Sequence, residues 1–341
     1  MYESYFSLTA KPFELVPNPA FLYLSKTHRK AITYLDYGVK EKAGFVLLTG
    51  EVGSGKTTII RDLIKKLGSN VVISKVFNTK VNSEELISMI NDDFGLDVKG
   101  KNKVILLKDL YDFLIKQHSV GAHCILIIDE AQNLTPELLE EIRMLSNLET
   151  DDSKFLQIIL VGQPELKETL SMAGLRQLRQ RISISCHLYP FARQETREYI
   201  YYRLEVAGNR EAIHFKEHTM DIIHHYSLGI PRLVNMICDF LLLAAFTEEK
   251  KEVDASMVFE IVKDLEFDLQ HSGVQTFPDN NDDMVVCREC GFKQEVRPDS
   301  GEKHVRCLKC GLVLSISEAG SVLLSNAKNI KYINRRNIPI I

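Results

Sequence analysis

The sequence predicts an α/β fold: an open parallel sheet, a helical lid after it, and a small cysteine-bearing module near the C-terminal end. Three observations carry this reading. A glycine-rich loop, Gly50-Glu51-Val52-Gly53-Ser54-Gly55-Lys56-Thr57, stands between an aliphatic run and a helical pattern. Strand-like and helix-like segments alternate up to residue 190, and from about residue 191 the pattern turns wholly helical. Two Cys-x-x-Cys-Gly sequences follow a polar stretch beyond that.

In chain order, residues 1–44 form an opening segment with turn signals at Pro12, Pro17 and Pro19, then a helix around residues 26–41. Residues 45–190 carry strand candidates at 45–49, 71–77, 124–128, 156–161 and 182–188, separated by helical patterns; such alternation implies right-handed crossovers in a parallel sheet. Thr135 and Pro136 suit an N-cap and first helical position, with Leu138, Ile142, Leu145 and Leu148 as the apolar stripe behind them. Residues 191–267 read as the helical lid, with Tyr199, Arg203, Leu204, Ile222, Ile223, Leu233, Ile237 and Leu241 in helical-period segments. In it, Tyr199-Ile200-Tyr201-Tyr202 reads as lid core with an exposed edge and His224-His225 as helix surface. Residues 268–284, with Gly273, Pro278 and Asp279-Asn280-Asn281-Asp282-Asp283, form a linker. The cysteine module spans 285–317 and a tail 318–341.

The 341 residues allow two domains and an appendix. The charge of −4 conceals an asymmetry: residues 285–341 hold ten basic and five acidic side chains, a balance of +5, and the remainder stands at −9. The body is therefore no general polyanion binder, whereas the C-terminal module can be one. Met1 to Ala10 lacks the basic start and apolar core of a signal peptide. The longest apolar stretch, Leu233 to Phe246, is broken by Asn235 and Asp239 and is too short to span a bilayer. The expectation is a cytoplasmic protein with Cys124, Cys186 and Cys238 as core thiols.

The loop at 50–57 has the G-x-x-x-x-G-K-T pattern of a phosphate cradle. Its glycines let backbone N–H groups converge on a phosphate, and the helix that begins after it adds partial positive charge. Lys56 can reach the β- and γ-phosphates, Thr57 can hold Mg²⁺, and Thr58 continues the helix start. The run Ile125-Leu126-Ile127-Ile128-Asp129-Glu130 is a buried strand ending in two acids, at the sheet edge where ligands of parallel sheets lie. Asp129 is expected in the Mg²⁺ shell, and Glu130 as the group that orients the attacking water.

These residues resemble the AAA+ ATPases of the general secretion pathway protein A type. The opening Met1-Tyr2, Phe6, Pro12-Phe13, Phe21-Leu22-Tyr23-Leu24-Ser25, His28 and Tyr37-Gly38-Val39 is similar to theirs. So are Leu48 to Gly53, Asp129-Glu130-Ala131-Gln132-Asn133-Leu134, Leu145 to Thr150, Gln157 to Leu166, Leu175 to Ile182 and Gly229-Ile230-Pro231-Arg232. The resemblance covers residues 1 to about 265. Beyond it the secretion members continue into a membrane span and a peptidoglycan-binding domain, and neither is visible in this sequence.

The resemblance implies Gln163 as a sensor near the γ-phosphate and Arg232 as a second sensor reaching from the lid. It implies that one of Arg176, Arg179 and Arg181 is an arginine finger in a neighbouring subunit's site, with Arg181 the choice, and hence a homo-oligomer. Phe21-Leu22-Tyr23-Leu24 and His28 are candidates to close over adenine, with core packing of these aromatics as the alternative. A cytoplasmic ATPase held at the inner membrane through a protein client of a secretion, pilus or polysaccharide machine is the reading the resemblance supports. A DNA-associated ATPase resembling transposon target-selection proteins, and a slow nucleotide-dependent scaffold, are the alternatives.

Cys287-Arg288-Glu289-Cys290-Gly291 and Cys307-Leu308-Lys309-Cys310-Gly311 have 16 residues between their inner cysteines. This spacing reads as a zinc ribbon with a four-thiolate, structural Zn²⁺; redox pairs are the alternative. Arg288, Lys293, Arg297, Lys303, Arg306 and Lys309 give the ribbon a basic surface for nucleic acid or protein, or one that is merely solvated.

Overall fold

The computed structural model describes residues 1–77, 79–147, 154–216 and 218–265, and the backbone of five short strands between residues 284 and 323. The chain divides into two units, Met1–Leu265 and Glu266–Ile341.

The first unit holds a parallel sheet of five strands in the order β2-β3-β4-β1-β5. These are β1 (Phe45–Gly50), β2 (Val71–Val76), β3 (His123–Ile128), β4 (Leu156–Gly162) and β5 (Ile182–Leu188). The three inner strands are buried along their whole length, each around an aliphatic run (Val46–Leu48, Ile125–Ile128 and Ile158–Val161), with Thr49, His123 and Gln157 buried beside them. The edge strand β5 instead alternates, Ile182-Ser183-Ile184-Ser185-Cys186-His187-Leu188. Period-2 geometry divides β1 between two cores. Val46 and Leu48 pack with Ala31 and Leu35 of α1 (Lys26–Lys40) and Ile59, Ile60 and Leu63 of α2 (Lys56–Lys66). Phe45 and Leu47 face the other cluster, built from α3 (Ser83–Asp93), α4 (Lys103–Ser119) and α5 (Pro136–Leu145). The short helices α6 (Glu165–Ser171) and α7 (Arg176–Arg181) complete that layer.

Local chemistry explains the helix starts. The Ser25 side chain accepts from the His28 N–H at the head of α1. Asn82 and Glu85 bond reciprocally as a capping box on α3. Thr135 caps α5, with Pro136 in its first turn. That helix closes at Leu145, and Leu148 of the expected stripe lies outside the described residues.

The lid comprises α8 (Arg193–Val206), α9 (Thr219–Ser227), α10 (Pro231–Thr247) and α11 (Ala255–Asp264). It is not wholly helical: β6 (His214–Phe215) pairs in parallel with β7 (Glu252–Val253). Two-residue strands are too short to show a period, so the sequence pattern does not reveal them. The first thirteen residues pack on the lid, whereas α1 packs on the sheet. Tyr2, Phe6, Leu8 and Phe13 are buried in the lid core. The Thr9 N–H donates to Ala207 O at 2.8 Å, and Asn209 Nδ2 donates to Phe6 O at 2.8 Å. Tyr199 and Ile200 are buried with Tyr201 and Tyr202 half-buried, while His224 and His225 are half-buried rather than on the surface. Cys124, Cys186 and Cys238 are buried free thiols; burial pushes Cys124 and Cys186 up to about 11. No helix of the described residues is long and apolar enough to cross a membrane.

In the second unit, β8 (Met284–Val286) pairs antiparallel with β9 (Lys293–Glu295). β10 (His304–Arg306) pairs antiparallel with β11 (Val313–Ile316), and β11 with β12 (Val322–Leu323). Each Cys-x-x-Cys sequence falls in the chain between two paired strands. Cys287, Cys290, Cys307 and Cys310 themselves lie outside the described residues, as does the tail beyond Leu323.

Candidate nucleotide-binding site

The glycine-rich loop leaves the C-terminal end of β1 and turns into α2. Gly53 and Gly55 sit at φ +77° and +96°, a region that side-chain-bearing residues rarely adopt. Gly55 is the N-cap of α2 and supplies no side-chain bond. The N–H groups of Lys56, Thr57 and Thr58 therefore have no partner within the helix and are available to an anion. Ser54 Oγ is buried there without a hydrogen-bond partner. In the described fold the Lys56 ammonium bends back on its own loop, donating to Gly50 O at 2.8 Å and Glu51 O at 3.0 Å. Burial lowers its pKa, opposed by the charges of Glu130 and Asp129. An anionic ligand would meet a cation held by weak neutral acceptors, which it can displace.

β3 brings the two acids to the same place. Asp129 is 4% exposed, and Thr57 Oγ1 donates to its Oδ2 at 3.3 Å. Burial raises the Asp129 pKa, with the Glu130 charge acting in the same direction; the Glu130 N–H, Lys56 and Thr57 oppose it. A hydroxyl and a carboxylate side by side are hard oxygen donors suited to Mg²⁺. Glu130 has φ +52° and ψ +36°, a left-handed backbone that costs a non-glycine residue about 1–2 kcal/mol. Two bonds hold it: its N–H donates to Asp129 Oδ1 at 3.0 Å, and Thr79 Oγ1 donates to its carbonyl at 3.0 Å. Its carboxylate accepts from Gln132 Nε2 at 2.5 Å and Gln163 Nε2 at 3.4 Å.

These groups open on a cavity of about 240 Å³. Val52, Gly53, Gly55, Lys56, Thr57, Thr58, Glu130, Gln163 and Arg232 line it among the expected residues. Gly50, Glu51, Ser54 and Asp129 do not; the first three shape the loop behind it, and Asp129 reaches it through Thr57. Arg181 is not in this cavity. Its guanidinium donates to Ser146 Oγ at 2.8 Å, whereas Arg179 is bonded to Leu170 O and Ser171 O.

The opposite wall comes from the opening segment and the lid. Phe21, Leu22, Tyr23 and His28 line it, while Leu24 does not. His28 is buried, with Nε2 at 3.1 Å from Ser54 O and Nδ1 at 2.7 Å from Ser25 Oγ. A carbonyl only accepts, so Nε2 carries the proton and Nδ1 accepts from the serine hydroxyl. Burial lowers the His28 pKa, opposed by its bond to Ser54 O and the Glu195 charge. His28 thus supports the loop from behind as well as bordering the cavity. Arg203 is a lining residue that sequence reasoning assigns only to lid packing. Buried, it donates to Pro12 O, to Tyr199 Oη at 3.1 Å and to Glu14 O at 3.2 Å, and lies 4.7 Å over the Phe21 ring. Nothing in a helical period separates a buried arginine from a surface one.

Residues 39–170 match the family model described as AAA domain. The chain is 42% identical over 254 residues to general secretion pathway protein A of Aeromonas hydrophila, across 74% of this chain and 46% of that protein. The first unit has the AAA+ P-loop fold. The chain spans about half the length of its curated relative. Among solved structures, its fold is similar to the Aeropyrum pernix ORC2 protein, with TM-score 0.55 and 18% identity over 74% of this chain and 71% of that one. It is similar also to a chain of Drosophila ORC bound to DNA, with TM-score 0.55 and 15% identity over 79% and 67%. At these identities the likeness concerns the fold alone.

Proposed function

We propose that this AAA+ ATPase binds ATP with Mg²⁺ in the 240 Å³ cavity and hydrolyses it. The observation that carries this is the convergence of Lys56, the Thr57–Asp129 pair, Glu130, Gln163 and Arg232 on one cavity from the loop, two strand ends and the lid. The loop N–H groups and Lys56 hold the phosphates. Thr57 and Asp129 hold Mg²⁺, which neutralises phosphate charge when bound. Glu130 orients and polarises water, Gln163 senses the γ-phosphate, and Arg232 reports it to the lid. The test is steady-state ATP hydrolysis beside ATP affinity. Glu130→Gln is expected to keep affinity and to lose at least about 10²-fold in rate. Hydrolysis by that variant at the wild-type rate would remove Glu130 from the mechanism.

The similarity to general secretion pathway protein A supports a client in a cell-envelope assembly machine, with the ATPase a homo-oligomer sharing sites through Arg181. The four cysteines support a structural zinc ribbon in the second unit. One observation favours a second reading, in which the partner is DNA: the +5 balance of residues 285–341 against −9 elsewhere. Hydrolysis measured with and without duplex DNA, across a salt series, separates them. Salt-sensitive stimulation supports the DNA reading, and a rate indifferent to DNA supports a protein client.

A further inference from the structure

Gln132 follows Glu130 by two residues and makes two hydrogen bonds of opposite sense. The Gln163 backbone N–H donates to its Oε1 at 3.0 Å, and its Nε2 donates to Glu130 Oε2 at 2.5 Å. The orientation of this amide is dictated by its neighbours. A backbone N–H can only donate and an ionised carboxylate can only accept, so the oxygen faces Gln163 and the NH₂ faces Glu130. The backbone is shaped around the contact. A Cβ on Gly162, the last residue of β4, would lie 3.0 Å from Gln132 Oε1 and 3.3 Å from its backbone N.

The geometry points to Gln132 as a positioning residue for Glu130: a single amide takes its bearing from the end of β4 and holds the Glu130 carboxylate in place. This rests on the proposed role of Glu130 in orienting water. Glu130 needs such a hold because its carboxylate is exposed and its backbone is left-handed. The Asp129 and Thr79 bonds settle its main chain and leave the side-chain torsions free. Gln132 supplies the side-chain restraint, and Gln163 Nε2, at 3.4 Å, adds a longer bond to the same oxygen. Because Gln163 is at once a lining residue and the donor to Gln132, displacement of the β4 end moves Glu130 with it. The consequence is that Gln132 acts on the rate of the chemical step and not on nucleotide binding; Gln132 does not touch the cavity.

The test compares wild type, Gln132→Glu, Gln132→Ala and Glu130→Gln in steady-state ATP hydrolysis with Mg²⁺, with ATP affinity measured separately. Gln132→Glu is the informative variant. It keeps shape and the acceptor for Gln163, loses the donor, and sets a carboxylate against Glu130. A purely structural role is satisfied by it. The expected result is a fall in kcat of about 10- to 100-fold in both Gln132 variants, with KM and ATP affinity within about twofold of wild type. Added to Glu130→Gln, Gln132→Glu is expected to cause no further loss, since both act through one carboxylate. Gln132→Glu hydrolysing within about threefold of wild type, while Glu130→Gln is inactive, overturns this inference and leaves the role of Glu130 standing. Loss of ATP affinity in step with kcat also overturns it, by assigning Gln132 to the integrity of the loop. Glu130→Gln at the wild-type rate removes both readings together.

Discussion

The backbone N–H of Arg232 donates to the carbonyl oxygen of Gly53 at 3.2 Å, so the first turn of lid helix α10 is hydrogen-bonded to the glycine-rich loop. Gly53 makes that approach available. At φ +77° an added Cβ would lie 2.4 Å from Arg232 Cβ. Gly53→Ala is expected to lower ATP affinity at least about tenfold, because the lid start must move off the loop. Gly121→Ala is the control: it has φ +76° with nothing within 4 Å, and should cost about 1–2 kcal/mol in stability while leaving ATP affinity unchanged. Equal ATP affinity in the two variants would show that the contact with Arg232 does not matter.

Two buried imidazoles make the fold sensitive to acid. His28 bonds the loop carbonyl of Ser54, and His123, at the start of β3, has a buried Nε2 without a partner. Burial lowers the pKa of both, His123 to about 4. The unfolded chain, whose imidazoles titrate near about 6.5, then binds more protons than the fold in mild acid. Their contribution is intact above that pH and is lost as pH falls from about 6.5 towards about 4. The variant His28→Gln/His123→Gln is expected to show a shallower decline in unfolding free energy over this window. Parallel slopes for variant and wild type would count against the assignment.

Arg181 is bonded to Ser146 and lies outside the cavity of its own subunit, which suits a group that serves a neighbour. Arg181→Ala and Lys56→Ala are each expected to lose about 10³-fold in hydrolysis. Mixed in equal amounts, they are expected to regain activity, because some neighbouring pairs then hold an intact Lys56 opposite an intact Arg181. A mixture as inactive as its components refutes a shared site.

Elemental analysis of protein purified without chelator is expected to find one zinc per chain, and Cys287→Ser with Cys307→Ser to abolish it. Four thiolates would leave no open position on such an ion, so its role would be structural. Chelation is therefore expected to leave Mg²⁺-supplemented hydrolysis by residues 1–265 unchanged. Metal-free native protein would return the four cysteines to the redox alternative.

The five strands were legible because each is a short run whose burial is written in its own residues. Aliphatic runs within β1, β3 and β4 mark them, and Ile182 to Leu188 alternate as an edge strand does. Thr135 and Pro136 announced a helix start for the same local reason. The pairing of His214–Phe215 with Glu252–Val253 was not legible, since two residues carry no period and their partners are distant in the chain. Nor did helical spacing reveal that Tyr2, Phe6 and Phe13 belong to the lid core.

By itself the sequence determined the loop chemistry at residues 50–58, the two acids at 129 and 130, and the class of fold that sets them at one sheet edge. Each is a matter of adjacent residues, where glycine conformation, helix starts and strand burial act within a few positions. Only the tertiary structure decided that His28 supports Ser54, that Arg203 ties the opening segment to the cavity, and that Gln132 stands between Glu130 and Gln163. Those meetings join polar atoms from separate elements. A hydrogen bond needs its partners within about 3 Å in the right direction, a condition that packing sets and that spacing along the chain does not express.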